Sequence, residues 1–328
     1  MAAHILKQQR KLLKKTNKMR VLILLSTYNG DAFLAEQLDS LYSQKGVQLH
    51  ILVRDDGSKD STLQILDDYN RRYGRMTIIK GQNIGAGPSF FALINEAAMN
   101  HAEYGYYAFC DQDDVWFPHK VETGVRELEK SDKLFKLFFS GAVNTDSELN
   151  PIDASHVRVI NSFGANLVAN HILGCAMLMN GALLQEINKI NTKPFSVPNG
   201  NIPIHDAWAS LVAYSLNADV IQSCSGLMYY RQHGHNVIGA GQGFLSNQKN
   251  RIMRYIGVVT HMKANKCIIA LQVLGDKIPS QNRDLLKKVA AYRNSLKAKY
   301  RLLFDKRMYE YGVIDNIGTF LIILFNKF

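Results

Sequence analysis

The sequence predicts an α/β fold built around a mostly parallel sheet. Apolar runs of strand length alternate along the chain with segments whose apolar residues recur at helical spacing. Polar or glycine-containing turns follow these runs directly, as they do where a strand ends. Because strands that alternate with helices usually pair in parallel, we expect a Rossmann-like sheet flanked by helices. A helical extension is expected on the C-terminal side.

Seven runs are predicted to be strands. The first, residues 21–26, is apolar without interruption, which is typical of a central strand covered on both faces. The others lie at residues 50–54, 76–79, 104–109, 137–140, 175–179 and 226–231. Helices are predicted after Pro118 and at residues 33–42, 60–73, 88–101 and 206–216. Residues 144–169 are polar and irregular, and no element is assigned to them.

Charge is distributed unevenly along the chain, whose net charge is +11. Residues 1–20 hold seven Lys and Arg and no acid, and residues 249–307 hold fifteen Lys and Arg and three acids. Residues 21–248 instead hold sixteen basic and twenty-three acidic side chains. This acidic body argues against a nucleic-acid enzyme, whose active groove would be positive. Basic ends suit docking on an anionic lipid surface, with a solvated basic helical face as the alternative.

These patterns divide the chain into three parts. We expect a basic arm at residues 1–19, the α/β domain at residues 20–240, and a basic amphipathic helical region at residues 241–328. No apolar run approaches the ~20 residues of a transmembrane helix, and the arm lacks the apolar core of a secretion signal. The four cysteines form no CxxC pair, which suits a reducing compartment. A cytoplasmic protein is therefore expected.

An acidic motif follows the predicted strand at residues 104–109. Asp111, Asp113 and Asp114 lie within four positions, and carboxylates this close repel one another unless a cation is present. Mg²⁺ and Mn²⁺ relieve that repulsion, because they take oxygen ligands and keep positions open for substrate phosphates. An exposed acidic turn is the simpler interpretation of the motif when it is taken alone.

Two more polar motifs end predicted strands. Thr27-Tyr28-Asn29 follows the first strand, and Asp55-Asp56-Gly57 follows the second. Hydroxyl, amide and ring groups suit a nucleobase, and a carboxylate can accept from a base N–H or a ribose hydroxyl. Open α/β sheets bind ligands beyond the carboxyl ends of their strands, so the three motifs should meet at one edge. The sequence shows no dinucleotide or P-loop glycine motif after any strand.

In order and spacing, the three motifs resemble those of the family 2 glycosyltransferases, over roughly residues 20–240. The resemblance implies the GT-A nucleotide-diphospho-sugar transferase fold and dependence on Mg²⁺ or Mn²⁺. It implies that the nucleotide sugar is bound by Thr27, Tyr28, Asn29, Asp55, Asp56, Gly57, Asn83, Asp111 and Arg231. It implies that the metal is bound by Asp111 and Asp113, and His233 is a further candidate ligand. Arg231 could instead pair with a surface acid, His233 could be an ordinary hydrogen-bonding histidine, and Asn83 could belong to an ordinary turn.

The family also has a catalytic acid about a hundred residues after the acidic motif, and Asp206 matches it. His205 stands where a glutamate is commoner, and we expect it to orient Asp206. With the stretches 109–116 and 230–236, this departure resembles bacterial rhamnosyltransferases of cell-wall and capsular polysaccharide synthesis. The resemblance implies an inverting transfer from dTDP-β-L-rhamnose, with Asp206 as general base. It also implies a glycan acceptor, which is expected to be lipid-linked, so we expect a peripheral protein on the inner face of the plasma membrane.

Three alternatives differ from this hypothesis. The donor could be another nucleotide sugar, such as a UDP-hexose. A sugar-phosphate nucleotidyltransferase would carry a glycine-rich basic triphosphate loop near the N-terminus, and residues 26–30 lack one. A non-enzymatic membrane-associated protein would have no reason to keep all three acidic and polar motifs together with Asp206.

Overall fold

The structure is a computed structural model that describes residues 19–154, 162–168, 172–196, 202–233, 262–309 and 313–326. The chain divides into two compact units. The first unit comprises residues 1–157, 173–188 and 219–231, and the second comprises residues 158–172, 189–218 and 232–328. Almost all of the expected basic arm and the expected boundary at residue 240 lie outside the described residues. The three-part division of the chain therefore stays a prediction.

Within the described residues, nine strands form a single sheet, which lies in the first unit. They are β1 (Arg20–Thr27), β2 (Gln48–Asp55), β3 (Met76–Lys80), β4 (Tyr106–Cys110), β5 (Val115–Trp116), β6 (Lys136–Thr145), β7 (Pro151–Ala154), β8 (Met177–Asn180) and β9 (Asp219–Arg231). Their order is β3-β2-β1-β4-β8-β6-β9-β5, with β7 paired to β6. The β1–β4 block and the β6–β9 pair are parallel, whereas β5, β7 and β8 pair antiparallel. The predicted α/β fold is confirmed, while the sheet, predicted to be mostly parallel, is mixed, with four parallel and four antiparallel strand pairings among the described residues.

The centre of the sheet explains the uninterrupted apolar run at the start of the domain. Residues 21–25 of β1 are fully buried, because β1 lies between two parallel neighbours and both of its faces are covered. The register sets Thr27 opposite Asp55 and Leu25 opposite Cys110. The carboxyl ends of β1, β2 and β4 are therefore nearly level, and the residues that follow them emerge at one edge.

Twelve α-helices occur in the described residues. They are α1 (Leu34–Tyr42), α2 (Thr62–Tyr73), α3 (Ala86–Asn100), α4 (Lys120–Glu129), α5 (Phe163–Val168), α6 (Gly181–Ile187), α7 (Lys189–Thr192), α8 (His205–Ser215), α9 (Met262–Leu274), α10 (Ser280–Ala291), α11 (Leu296–Leu303) and α12 (Val313–Leu324). The first unit holds α1 to α4 and α6, and the second holds the rest. The helices expected after β1, β2, β3 and β5 and at residues 206–216 are all present.

Three strand features differ from the sequence prediction. The irregular stretch 144–169 contains the end of β6, all of β7 and helix α5. Strand β9 begins at Asp219, whereas the predicted strand begins at residue 226. The prediction missed the first half of the strand because that half is polar and only partly buried. Strand β5 is only two residues long, too short to produce a periodic pattern.

The second unit consists of helices in the described residues. Gly164 of α5 lies so close to the turn at residues 306–308 that an added Cβ would be 1.6 Å from the carbonyl oxygen of Arg307. Only glycine allows this approach. Among the residues that the structure covers, none of the helices combines the length and the apolar character needed to cross a membrane.

Candidate active site

The loop after β2 is tied to the end of β1 by one buried carboxylate. Asp55 Oδ1 accepts hydrogen bonds from the hydroxyls of Thr27 at 3.0 Å and Ser58 at 2.5 Å. Its Oδ2 accepts from the backbone N–H groups of Gly57 at 3.1 Å and Ser58 at 2.9 Å. Gly57 has a φ of 83°, a conformation that glycine adopts without strain. Asp55 thus shapes this loop, and its predicted contact with the nucleotide stays a prediction.

The neighbouring carboxylate joins the loops after β2 and β3. Asp56 is buried, pairs with Arg54, and accepts from the backbone N–H groups of Ile84 at 2.9 Å and Gly85 at 2.8 Å. The side chain of Asn83 accepts from the N–H of Gly85 at 3.2 Å. A buried ion pair with further hydrogen bonds holds its parts in one geometry. The structure therefore brings the predicted residues Asp56 and Asn83 to the same loop junction.

Gln112 connects the first polar motif to the acidic motif. Its Oε1 accepts from the backbone N–H of Tyr28 at 2.8 Å, and its Nε2 donates to the carbonyl of Tyr28 at 3.1 Å. Asn29 has a φ of 45°, and its backbone N–H donates to the Ser58 hydroxyl at 2.9 Å. A Cβ on Gly30 would lie 2.2 Å from Gln112 Oε1. The three motifs are thus hydrogen-bonded to one another, as their common edge predicted.

The acidic motif contributes to a small cluster of metal-ligating atoms. One ligand atom from each of Asp111, Asp114 and Cys175 lies within 4.8 Å of the others. Burial, and then the nearby carboxylates of Asp113 and Asp111, raise the pKa of Asp114 well above its usual value. Asp114 Oδ1 also accepts from the backbone N–H of Arg231 at 3.3 Å. The cluster includes one predicted metal ligand, Asp111, whereas the metal contact of Asp113 stays a prediction.

A buried lysine lies behind the acidic motif. Lys120 Nζ donates to the carbonyl of Cys175 at 2.7 Å and lies 3.1 Å from the centre of the Trp116 ring. Burial lowers the pKa of Lys120 to about 8, although the Asp114 and Asp111 carboxylates act in the opposite direction. A cation–π contact of this kind is stronger when the cation is desolvated. Sequence reasoning missed Lys120, because a lysine in a first helical turn usually faces solvent.

Arg231 is the last residue of β9, and its side chain contacts four residues of the first unit. Its Nε donates to the Asp113 carbonyl at 2.9 Å, and its two terminal nitrogens donate to the Ser147 carbonyl and the Glu36 carboxylate. The guanidinium carbon lies 4.4 Å from the centre of the Phe33 ring. The side chain is 2% exposed, so these protein groups surround it. Its predicted diphosphate contact stays a prediction, and a diphosphate would have to displace some of these partners.

In the second unit, His205 and Asp206 form the first turn of α8. Burial raises the pKa of Asp206, while the positive charge of Lys266 on α9 lowers it. Asp206 Oδ1 accepts from the backbone N–H of Ala207 at 2.5 Å. Burial also lowers the pKa of His205 to about 3, so its ring is neutral at physiological pH and takes up a proton poorly. His233 lies two residues beyond β9, and its metal contact stays a prediction.

Residues 22–184, which span all three strand-end motifs, match the family model described as Glycosyl transferase family 2. The chain belongs to the family 2 glycosyltransferases. This glycosyltransferase is 28% identical over 232 residues to the dTDP-rhamnosyl transferase RfbG of Shigella flexneri, covering 69% of this chain and 77% of that protein. The resemblance found in the sequence is therefore confirmed.

Solved structures show the fold. S. aureus TarS in complex with UDP-GlcNAc aligns with a TM-score of 0.55 and 17% identity, covering 93% of the glycosyltransferase and 81% of the TarS chain. The mannosyltransferase PcManGT from Pyrobaculum calidifontis, in complex with GDP-Man and Mn²⁺, aligns with a TM-score of 0.50 and 17% identity, covering 94% and 88%. The predicted GT-A fold is confirmed.

Proposed function

We propose that this glycosyltransferase moves L-rhamnose from dTDP-β-L-rhamnose onto a lipid-linked glycan of the cell surface, with inversion at the anomeric carbon. One observation carries the proposal: hydrogen bonds join the three motifs at one sheet edge. They form between Thr27 and Asp55 and between Tyr28 and Gln112. The likeness to RfbG supports the rhamnosyl donor. TarS and PcManGT, which share the fold, were solved with UDP-GlcNAc and GDP-Man, which supports a nucleotide-sugar donor in general.

The first unit supplies the donor side of the reaction. The ring of Tyr28 is exposed beside the sheet edge and suits stacking on a nucleobase. Asp55 and Asp56 hold the loops after β2 and β3, and Gly57, which lacks a side chain, lets the backbones of these two loops pack closely. These contacts fix the donor loops before substrate arrives, and such preorganisation reduces the cost of binding.

A divalent cation fits the acidic motif. Asp111 and Asp113 would hold Mg²⁺ or Mn²⁺, since both ions prefer oxygen ligands. Burial, and then the Asp113 and Asp111 carboxylates, raise the pKa of the neighbouring Asp114, and a bound cation would relieve the repulsion among these carboxylates. When bound, the ion supplies counter-charge for the diphosphate leaving group. The Mn²⁺ bound to PcManGT is consistent with this assignment.

Asp206 is the proposed general base. It takes the proton from the acceptor hydroxyl as that oxygen forms a bond to the anomeric carbon and the nucleoside diphosphate departs. For this role its carboxylate must be ionised, and burial opposes ionisation while Lys266 favours it. His205 is a weaker candidate, because its pKa of about 3 makes it a poor proton acceptor.

A donor screen tests the proposal. Purified protein is incubated with Mg²⁺ or Mn²⁺ and a panel of dTDP-, UDP- and GDP-sugars, and the released nucleoside diphosphate is measured. We expect dTDP release from dTDP-rhamnose to exceed release from every other donor. Release of UDP alone would mean that the donor is a UDP-sugar rather than dTDP-rhamnose. Formation of pyrophosphate from a sugar phosphate and a nucleoside triphosphate would favour a nucleotidyltransferase instead.

Two carboxylate variants test the division of roles. Asp206→Asn should leave donor affinity nearly unchanged and cut turnover by about 10²–10⁴-fold, the usual contribution of a general base. Asp113→Ala should weaken donor affinity in the presence of metal and also cut turnover by about 10²–10³-fold. Calorimetry with dTDP-rhamnose and Mn²⁺ separates the two, and the exposed Asp132→Asn serves as the matched control. Equal loss of donor affinity in both variants would contradict the assignment of Asp206 as the general base.

A further inference from the structure

Exposed large hydrophobic side chains are concentrated in two helices of the second unit. Fourteen such side chains occur in the described residues, and seven of them lie between Leu296 and Phe325. On α11 and directly after its last residue they are Leu296, Tyr300 and Phe304, which are 61–83% exposed. Residues four apart lie on one face of a helix, so these three form a single stripe.

Helix α12 carries a second stripe. Its members, 39–66% exposed, are Ile317, Leu321, Leu324 and, one residue beyond the helix, Phe325. Thr319, Ile322 and Ile323 of the same helix are buried. The helix is therefore apolar both where it packs and where it is exposed. Monomeric soluble proteins rarely leave large continuous apolar surfaces uncovered, and such surfaces mark interaction sites.

The two stripes belong to helices that touch. Lys299 Nζ on α11 donates to the carbonyl of Leu324 at 3.1 Å, and Arg293 donates to the carbonyl of Asn326 at 2.9 Å. These bonds satisfy carbonyls at the end of α12 that have no partner within the helix. They also fix the end of α12 beside α11.

The neighbourhood of the stripes is strongly basic. Residues 293–309 contain six Lys and Arg and a single acid, Asp305. The Asp305 carboxylate already pairs with two basic side chains, because it accepts hydrogen bonds from Lys288 at 2.9 Å and Arg307 at 2.6 Å. Lys297 and Arg301 on α11 are exposed. Of the other basic residues near the C-terminus, Arg251 and Arg254 lie outside the described residues.

We propose that α11 and α12 form one docking surface that lies in the head-group region of an anionic membrane. Apolar side chains flanked by lysine and arginine are typical of helices that bind in this plane. Helix α12 has 12 residues, about 18 Å in length, so it can lie along a bilayer whose hydrocarbon core is about 30 Å thick but cannot cross it. Tyr300, Phe304 and Leu321 would enter the acyl boundary, while Lys297 and Arg301 meet lipid phosphates. The inference adds a defined surface to the proposed lipid-linked acceptor and does not depend on the donor sugar.

Vesicle flotation of the full chain tests the surface. Wild-type protein should float with vesicles of phosphatidylglycerol and phosphatidylcholine, and weakly with phosphatidylcholine alone. The triple variant Tyr300→Ser, Phe304→Ser, Leu321→Ser should partition into vesicles at least about 100-fold more weakly. Each substitution removes apolar surface that would be buried in the bilayer. A matched control replaces three exposed apolar residues of the first unit: Met99→Ser, Leu134→Ser and Ile152→Ser.

The charge contribution is tested separately. Lys297→Gln with Arg301→Gln should lower partitioning into anionic vesicles about 25-fold at low salt, or about fivefold for each charge. Lys133→Gln with Lys193→Gln changes the net charge equally at exposed sites elsewhere and should have little effect. Flotation that is unchanged in the surface variants, or that ignores anionic lipid and salt, overturns the proposal. Light scattering that shows a dimer through this surface, without vesicle binding, also overturns it.

The same variants separate this inference from the proposed reaction. Nucleotide release from dTDP-rhamnose without vesicles should be unchanged in the triple variant. Lost flotation with unchanged release supports the docking surface. Absence of release from any donor, with flotation intact, would contradict the proposed reaction and leave the surface standing.

Discussion

Replacing Arg231 by Met tests whether this arginine supports the fold or binds the donor. The substitution keeps an unbranched apolar chain but removes every guanidinium donor. It breaks the bonds to the carbonyls of Asp113 and Ser147 and the ion pair with Glu36. Because Arg231 is almost fully buried, the two carbonyls would be left without their charged donor.

The expected loss can be worked from these contacts. A hydrogen bond from a charged donor contributes about 1.5–3 kcal/mol, so the two carbonyl bonds together contribute about 3–6 kcal/mol. The Glu36 side chain is 58% exposed, and solvent screening limits that pair to about 0–1 kcal/mol. For a unit of this size, each kcal/mol lowers the Tm by about 2–4 °C. The sum of about 3–7 kcal/mol predicts that the Tm of Arg231→Met falls by roughly 6–28 °C.

Thermal unfolding followed by circular dichroism, without nucleotide or metal, provides the assay. Arg126→Met is the matched control, because its ion pair with Glu122 is at the surface and should contribute little. A Tm of Arg231→Met within about 2 °C of wild type would refute the structural role. If donor affinity measured by calorimetry fell at the same time, the diphosphate contact predicted from the sequence would be supported instead.

Three further predictions concern the site. Gln112→Ala removes both bonds to the Tyr28 backbone, and at about 0.5–1.5 kcal/mol each it should weaken donor binding by roughly 5- to 150-fold in calorimetry; unchanged affinity would contradict the link. Lys266→Met removes the charge that lowers the pKa of Asp206, so the acidic limb of the kcat–pH profile should move to higher pH, and Lys266→Arg should restore it. Asp206→Asn should raise the Tm at neutral pH. Burial raises the folded-state pKa of Asp206, so its stabilising contribution is lost as pH rises through that pKa; an unchanged or lower Tm would oppose this.

The elements that the sequence predicted well are those whose burial is uniform along the segment. Strand β1 is covered on both faces, and its apolar run shows this directly. Strand β9 is not, because its first half carries Gln222, Ser223 and Ser225 at positions that are only partly buried or exposed. Its pairing with β6 is therefore set by long-range contacts rather than by local pattern.

The site shows a similar limit. The positions of Asp55 and Asp111 at strand ends followed from the apolar runs that precede them in the sequence. The hydrogen bonds that join one motif to another did not, because their two partners are distant in sequence. Gln112 and Lys120 illustrate this: the role of Gln112 depends on the Tyr28 backbone, 84 residues away. Lys120 is buried because the folded chain packs its ammonium group against the Trp116 ring and the Cys175 carbonyl.

The late position of β9 in the chain has a consequence for how the protein is made. This strand pairs with β6 and β5, yet it follows residues 189–218 of the other unit. The Arg231 contacts to Asp113 and Glu36 close loops of 118 and 195 residues, and such long-range closures form slowly. A nascent chain that has emerged only to residue 184, the end of the family match, holds β1 to β8 but lacks this strand. The backbone behind the acidic motif therefore gains its final support only once residue 231 is available, and a protein truncated before that point should lack an ordered donor site.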